Sequence, residues 1–395
     1  MGANEEERMK PKRLLIIGNG FDLHCGLKST FENFISKKYG EEDTAENPLW
    51  EIDQINEKFK NTGGMAISYY NDNDIQAVIP HLGFENIWVE WLTLLRCYQK
   101  SIENWADVES QMTKLLTNST VEKGLNEDDS IYHGDMRNEP DEVYRFLFLM
   151  KGVLGYKNPI EGLRCELTKF ETSMMEYLRQ QTYENKNYFE GVESLLSKLT
   201  KLGIDERNNT NNALPEPYNL LNFNYTNISN ALQNGDIGLD SGLHPIAQRN
   251  IHGTTEEQAV IGIDSTNVPV NSPAVSFTKT YRLLEKQEIG YAGNVDVILS
   301  QQINTIVFYG HSLSNNDFAY FQSIFDFYHL YDSKIVLIFA YSIYNENKKM
   351  EIKENLYHNI QELLDRYGRS LGNDTHGRNL MHKLIIENRL FLKDV

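Results

Sequence analysis

Cysteine is scarce in this chain, which has three in 395 residues, and none of them forms a Cys-x-x-Cys pair. The sequence therefore predicts neither a zinc site nor a disulfide framework, and we expect no bound metal.

Long apolar runs are also missing, since no stretch approaches the ~20 residues that span a bilayer. The acidic, polar start of the sequence differs from the basic and then apolar start of a signal peptide. We expect a soluble protein of the reducing cytoplasm, with no membrane partner.

Positive charge is in short supply as well. Lys and Arg number 38 against 56 Asp and Glu, which gives a formal net charge of -18. Binding to nucleic-acid phosphates depends on clustered Lys and Arg, so the composition disfavours a nucleic-acid partner. The chain does have 40% hydrophobic and 11% aromatic residues. That content is typical of a globular protein with a substantial core.

The most informative segment lies near the start of the chain. Leu14–Ile17 is a short apolar run that predicts a buried parallel strand, and the glycine turn Gly18–Gly20 follows it directly. Asp22 comes next and could cap a helix. A strand that leads through a glycine turn into a helix forms an anion site, because the first amides of the helix have no internal partners. The third glycine, Gly26, comes later than in the usual dinucleotide fingerprint. The alternative is a tight turn with Asp22 as a helix cap.

The rest of the chain divides near residue 217. Residues 41–217 carry apolar stripes at helical spacing, which predict core faces of helices. Residues 218–395 alternate apolar strands with helical patterns, which predicts a parallel sheet covered on both faces. We expect a Rossmann-like domain from residues 1–40 and 218–395, with 41–217 as a helical insertion. The stripes are Trp88, Trp91, Leu92, Leu95 and Tyr98; Leu163, Leu167, Phe170, Met174 and Leu178; and Val192, Leu195, Leu196, Leu199 and Leu202. The predicted later strands are 220–223, 260–263, 305–309 and 335–340.

Polar residues follow the predicted strands. Asn222–Asn227 and Gly310–Asp317 each close a strand, and His252 with Gly253 lies between them. In an open α/β sheet, ligands bind beyond the carboxyl ends of the strands. We therefore expect these segments to meet the glycine turn in one crevice.

Each of these residues also has a purely structural alternative. Asn224 could stabilise a turn through its side chain, as Asn often does. His252 could be a hydrogen-bonded loop histidine. Asp317 could cap the helix that follows it. Glu109 could be an exposed residue of an ordinary amphipathic helix.

The ordered set of motifs resembles a known family. Gly18–Asp22, Asn222–Thr226, Ile251–Gly253 and Gly310–Ser314 resemble the abortive infection AbiH family of bacterial phage-defence proteins. Trp105–Glu109 is similar to the helical Trp/acid signature of that family. The resemblance spans nearly the whole chain and implies a role in phage defence.

The same set is also similar, more distantly, to the sirtuin-type NAD-binding fold. Gly18, Gly20 and Gly26 fall at the glycine spacing of the loop that holds the dinucleotide in that fold. The resemblance implies an α/β fold with a Rossmann-like, mostly parallel sheet of sirtuin type and a large helical insertion. It implies NAD as substrate or ligand. The missing zinc module argues against protein deacylation, and Asp22 stands where the usual loop has Ser.

The resemblance also implies roles for single residues. Asn224 would contact the nicotinamide ribose, and His252, next to Gly253, would act as a base. The residues expected to bind the dinucleotide are Gly18, Asn19, Gly20, Phe21, Asp22, Gly26, Asn222, Thr226, Gly253, Gly310, His311, Ser312 and Asp317. Asp22 and Glu109 are the candidate carboxylates for stabilising an oxocarbenium-like transition state.

We therefore expect an abortive infection effector that cleaves NAD to ADP-ribose and nicotinamide. Two alternatives stay open. One is a nucleotide sensor or interaction protein that performs no chemistry, and the other is a nuclease effector. An NAD-cleaving enzyme needs restraint in its own cell, so we expect a phage-derived or protein trigger and, with it, a homo-oligomer. The helical insertion is the natural place for a gate or an oligomer interface.

Overall fold

The computed structural model describes residues 10–39, 86–99, 102, 105–133, 139–154, 157–203, 214–234, 243–256, 259–266, 268–286, 298–371 and 377–395. The chain divides into two compact units. The sheet unit comprises residues 1–29, 178–258 and 288–395, and the helical unit comprises 30–177 and 259–287. These bounds differ from the predicted division in three places. Residues 30–40 belong with the helices. Residues 178–217 belong with the sheet, and residues 259–287 belong with the helices.

The sheet unit is built on six parallel strands. They are β1 Arg13–Ile17, β2 Tyr218–Asn222, β3 Ala247–Asn250, β4 Thr305–Tyr309, β5 Val336–Tyr341 and β6 Leu390–Asp394. Their order across the sheet is β3-β2-β1-β4-β5-β6, and every neighbouring pair is parallel. This is the Rossmann order, in which the strand sequence reverses between β1 and β4 and ligands bind beyond the carboxyl ends at that reversal. The predicted fold class, α/β with a Rossmann-like parallel sheet, is confirmed.

The helices are numbered in chain order. They are α1 Asn19–His24, α2 Phe31–Tyr39, α3 Ile87–Gln99, α4 Trp105–Leu116, α5 Ser119–Leu125, α6 Asp141–Leu154, α7 Pro159–Glu184, α8 Tyr188–Lys201, α9 Ile228–Asn234, α10 Lys279–Lys286, α11 Phe318–Phe327, α12 Lys349–Ser370 and α13 Leu380–Ile386. No helix among the described residues is both long and apolar enough to cross a bilayer.

Both faces of the sheet are covered, because successive residues of each strand point to opposite sides. Leu14 and Ile16 of β1 pack into a core with α11, α12 and α13, and we call this the α11 face. Leu15 and Ile17 pack into a second core with α8 and α9, which we call the α8 face. The predicted stripe of α8 is confirmed as a core face, with its members from Val192 to Leu199 buried.

The edges of the sheet differ from the prediction. The segment 260–263 was predicted as a strand, but it belongs to the helical unit and makes a single bridge, Ile263 with Thr278. The edge strands are instead β3, whose sequence is Ala-Gln-Arg-Asn, and β6, and neither was predicted. The residues of both are half-buried or exposed. An edge strand with little buried surface carries little apolar signal, so the pattern of hydrophobic residues does not reveal it.

The helical unit has an aromatic core and buried ion pairs. Its two predicted stripes are confirmed as buried, except that the side chain of Tyr98 lies outside the described residues. Leu178, at the end of the second stripe, is buried too but belongs to the sheet unit. Glu109 of α4 is buried and pairs with Lys279 of α10 at 2.8 Å. Glu171 of α7 is held by Arg282 through two hydrogen bonds. Buried charges of this kind need such partners. The reading of Glu109 as an exposed residue was therefore wrong.

Candidate functional site

The loops that follow β1 and β4 touch through their backbones at the strand reversal. The Gly20 amide donates to the Gly310 carbonyl oxygen at 2.8 Å, and the Gly18 amide donates to the Tyr309 carbonyl at 3.0 Å. Gly310 has a φ of +67°, and a Cβ placed there would lie 2.3 Å from the Phe21 nitrogen. The glycines therefore allow two loops to approach more closely than any side chain would permit.

Asparagines join the loop after β2 to its neighbours. Asn224 donates from Nδ2 to the Gly18 carbonyl at 3.0 Å, so it bridges the loops after β1 and β2. The turn itself is stabilised by Asn222, whose Oδ1 accepts from the Asn224 amide at 2.9 Å. Asn250, at the end of β3, donates from Nδ2 to the Asn224 and Thr226 carbonyls at 2.9 and 2.8 Å. The four strand ends thus meet, as the sequence predicted, and Asn250 is a member that the sequence analysis missed.

A carboxylate lies between two histidines on the α11 face. Nε2 of His252 is 3.2 Å from Oδ1 of Asp317, and Nε2 of His311 is 3.4 Å from Oδ2 of the same residue. The Leu313 amide donates to Nδ1 of His311 at 2.9 Å, which places the proton of a neutral His311 on Nε2, toward Asp317. Leu313 itself has a φ of +56°, which is unusual for a bulky residue. This loop is held in a strained conformation around the His-Asp-His array.

The array is enclosed by aromatic rings. The Phe223 ring lies 4.7 Å from the His311 ring and 5.7 Å from the His252 ring, and the Tyr320 ring lies 5.9 Å from His252. Only 3% of His252 is exposed. Interactions between charged and polar groups are stronger in such an apolar setting than in water.

Asp317 does not act as the helix cap that one reading of the sequence allowed. It occupies the N-cap position of α11, but its side chain makes no capping hydrogen bond. The carboxylate turns instead toward His252 and His311. Asp317 was predicted only to bind the dinucleotide, and the two carboxylates expected to assist catalysis were Asp22 and Glu109. Within the sheet unit it is Asp317 that contacts His252, while Asp22 bonds to Tyr188 and Thr226; Glu109 belongs to the helical unit and pairs there with Lys279.

Asp22 lies on the α8 face and is almost fully buried. Its carboxylate accepts hydrogen bonds from the Tyr188 hydroxyl at 2.7 Å and from the Thr226 hydroxyl at 2.9 Å. The N-cap of α1 is Gly18, so the reading of Asp22 as a cap was wrong.

Burial raises the pKa of the Asp22 carboxyl to about 6, although the hydrogen bonds from Tyr188 and Thr226 act in the opposite direction. Tyr188 was predicted by no motif, because it lies 166 residues from its partner.

The shifted pKa of Asp22 predicts a pH-dependent stability. An unperturbed carboxyl titrates near 3.8 and the folded one near 6, so between these values the folded protein holds a proton that the unfolded chain has released. The free energy of unfolding therefore falls as the pH rises through this window. Asp22→Asn keeps an acceptor oxygen but cannot ionise. Relative to wild type, we expect the variant to gain about 2 kcal/mol between pH ~4 and pH ~7, measured by urea unfolding.

The control for this measurement is Asp332→Asn, because Asp332 is exposed. Its stability should follow the wild-type curve at every pH. A difference between Asp22→Asn and wild type that stays constant with pH would show that Asp22 is ionised equally in the folded and unfolded states.

The other residues predicted to bind a dinucleotide have structural contacts of their own. The Ser29 hydroxyl donates to Oδ1 of Asn19 at 2.5 Å, and the Gly26 carbonyl accepts from Asn185 at 2.8 Å. Phe21 lies in the core of the α8 face, while Ser312 is exposed. Gly253 has a φ of +83°, directly after His252. Within the described ranges, no three His, Cys, Asp or Glu side chains are grouped so that they could hold a metal ion.

The chain matches a family of known proteins. The model of the family described as Bacteriophage abortive infection AbiH matches residues 14–339, which include all the site residues named above. No curated protein and no solved structure matches the chain.

Proposed function

Because this chain belongs to the bacteriophage abortive infection family AbiH, and so acts in abortive infection, we propose that it does so by cleaving NAD to ADP-ribose and nicotinamide. The observation that carries the proposal is the contact between His252 and Asp317. This pair lies at the carboxyl edge of a sheet with the Rossmann strand order, where dinucleotides bind in proteins of that topology.

In the proposed reaction, His252 is the general base. An ionised Asp317 accepts from Nε2 of His252, which makes Nδ1 the basic nitrogen of the ring. The water oxygen bonds to C1′ of the ribose, the bond from C1′ to the nicotinamide nitrogen breaks with its electron pair leaving on nicotinamide, and the water proton passes to His252. Asp317 then stabilises the imidazolium, as the carboxylate of a Ser-His-Asp triad does. Asn224, which links the loops after β1 and β2, positions the ribose.

The conformation described here is the resting state in this proposal. His252 is buried, and the Gly20 amide is already bonded to the Gly310 carbonyl. NAD can reach the ring only when the loops after β1, β3 and β4 separate. Closure of this kind suits an effector that must spare its own cell until infection, and a phage-derived or protein trigger would open the loops. The positive φ of Leu313 marks the loop after β4 as the strained part that would move.

The test is a direct assay of the full chain with NAD, with and without an extract of phage-infected cells, followed by chromatography. We expect nicotinamide and ADP-ribose in equal amounts, with faster release in the presence of the extract. Intact NAD under both conditions, in a preparation that acts on a different substrate, would contradict the proposal.

A second candidate is a nucleotide sensor without turnover, which the burial of His252 favours. It predicts that NAD or ADP-ribose raises the melting temperature by mass action while the nucleotide stays intact. The same preparation, incubated with labelled RNA or DNA and Mg²⁺, tests the nuclease alternative.

A further inference from the structure

A cavity of about 190 Å³ opens on the α8 face, beside the segments that follow β2 and β3. The end of α7, the start of α8 and the start of α9 form its walls. The polar and aromatic residues of its lining include Arg179, Tyr183, Tyr188, Thr226, Asn227 and Glu256. Its place at the carboxyl side of β2 and β3 is where α/β sheets bind ligands.

The mouth of the cavity combines a cation with an exposed ring. Arg179 and Tyr183 lie four residues apart on α7 and therefore on one face of the helix. Among the residues that the structure describes, the Arg179 guanidinium makes one hydrogen bond, to the Thr255 carbonyl. A guanidinium has five donors, and its fork matches a phosphate. Tyr183 is 89% exposed, which gives a flat apolar surface in water.

The rest of the lining combines the apolar side chains of Phe189 and Ala231 with polar groups. Tyr188 and Thr226 also line the cavity, and both hydroxyls are bonded to the buried Asp22 carboxylate. Oδ1 of Asn227 accepts from the Asn230 amide at 3.2 Å. Glu256 adds an exposed carboxylate, which can accept from two neighbouring hydroxyls of a sugar.

We propose that this cavity binds a ribonucleoside phosphate. The phosphate pairs with Arg179, the ribose hydroxyls donate to Glu256, and the base stacks on the exposed ring of Tyr183. The cavity volume of about 190 Å³ is smaller than the roughly 300–1,000 Å³ of pockets that bury a drug-sized ligand. The enclosed space is therefore of the size of a sugar rather than of a dinucleotide, and the base and phosphate lie at the mouth.

The site is separate from the His-Asp-His array. His252 and Asp317 lie with Phe223 on the α11 face, whereas Tyr188 and the start of α9 belong to the α8 face. Binding in the cavity therefore does not depend on NAD cleavage. A nucleotide held there would contact Thr226 and Tyr188, and through them Asp22 at the glycine turn, so it is placed to regulate the loops.

The test is calorimetric titration of the full chain with AMP, ribose 5-phosphate and inorganic phosphate. We expect AMP to bind most tightly. Arg179→Gln should weaken AMP binding by about tenfold or more, and Tyr183→Ala should weaken AMP binding while leaving ribose 5-phosphate unchanged. Arg369→Gln is the matched control, because Arg369 is an exposed arginine of α12 in the same unit. His252→Ala should bind AMP as the wild type does, whether or not NAD is cleaved.

Three results would overturn the proposal. The first is the absence of AMP binding at millimolar concentration. The second is binding that Arg179→Gln leaves intact and His252→Ala removes, which would move the ligand to the other face of the sheet. The third is equal affinity for inorganic phosphate and AMP, which would leave the ribose and the base without a role.

Discussion

His252→Ala is expected to lower the rate of NAD cleavage by at least about a hundredfold, the lower end of the range for losing a positioned general base. The base is lost together with its contact to Asp317, which lies 3.2 Å away. Asp317→Asn is the second variant, because it keeps the shape of the side chain and removes the negative charge that stabilises the imidazolium. We expect it to lower the maximal rate strongly with little change in the Michaelis constant.

The control for these variants is His358→Ala. His358 is an exposed histidine of α12, and its ring packs only beside Tyr357 among the described residues. It should cleave NAD at the wild-type rate. Melting curves establish that each variant is folded. A folded His252→Ala protein that cleaves NAD as fast as wild type would remove His252 from the reaction.

Gly310→Ala is expected to destabilise the protein by more than about 4 kcal/mol, which only a few mechanisms produce. Two of them act here. The positive φ strains any residue with a Cβ, and this Cβ would lie 2.3 Å from the Phe21 backbone nitrogen and 2.6 Å from the Gly20 carbonyl carbon. Backbone atoms on both loops would have to move, and the bond from Gly20 to Gly310 would be lost. Urea unfolding measures the change.

Gly203→Ala separates the two mechanisms. Gly203 has a φ of +76°, but the nearest atom to its Cβ would be a side-chain methyl of Ile338 at 3.8 Å. This control should lose only the conformational cost, on the order of 1 kcal/mol. If Gly310→Ala were no less stable than Gly203→Ala, the loops after β1 and β4 would not be in backbone contact.

Local patterns in the sequence predicted much of the fold. β1 and its glycine turn could be predicted because an apolar run followed by Gly-Asn-Gly has few other structures available to it. The stripe of α8 could be predicted because helical spacing is a local property. The strand order could not, since it depends on pairing between segments as distant as Arg13 and Thr305. β3 was not predicted because its four residues, Ala-Gln-Arg-Asn, bury too little surface to show a hydrophobic pattern.

For the site, too, local patterns could be predicted from the sequence and contacts between distant residues could not. Asn224, His252 and Gly310 follow strands of a parallel sheet, and the carboxyl ends of such strands lie at one edge. Their common location could therefore be predicted. The partners of the side chains could not be predicted in this way. Asp317 sits where a helix cap belongs and turns instead to His252, 65 residues away along the chain. Tyr188 reaches Asp22 from a helix that the sequence assigned to the insertion. The local spacing of residues along the sequence does not predict contacts between distant residues.

Cellular NAD after phage infection shows whether this chain acts in defence by cleaving NAD. Bacteria carrying the wild-type chain and bacteria carrying His252→Ala are infected in parallel, and NAD and nicotinamide are measured at intervals before lysis. We expect NAD to fall and nicotinamide to rise only in cells with the wild-type chain, which are also the cells that restrict the phage. Phage restriction by the wild-type chain with NAD held at the level of the His252→Ala cells would contradict this expectation.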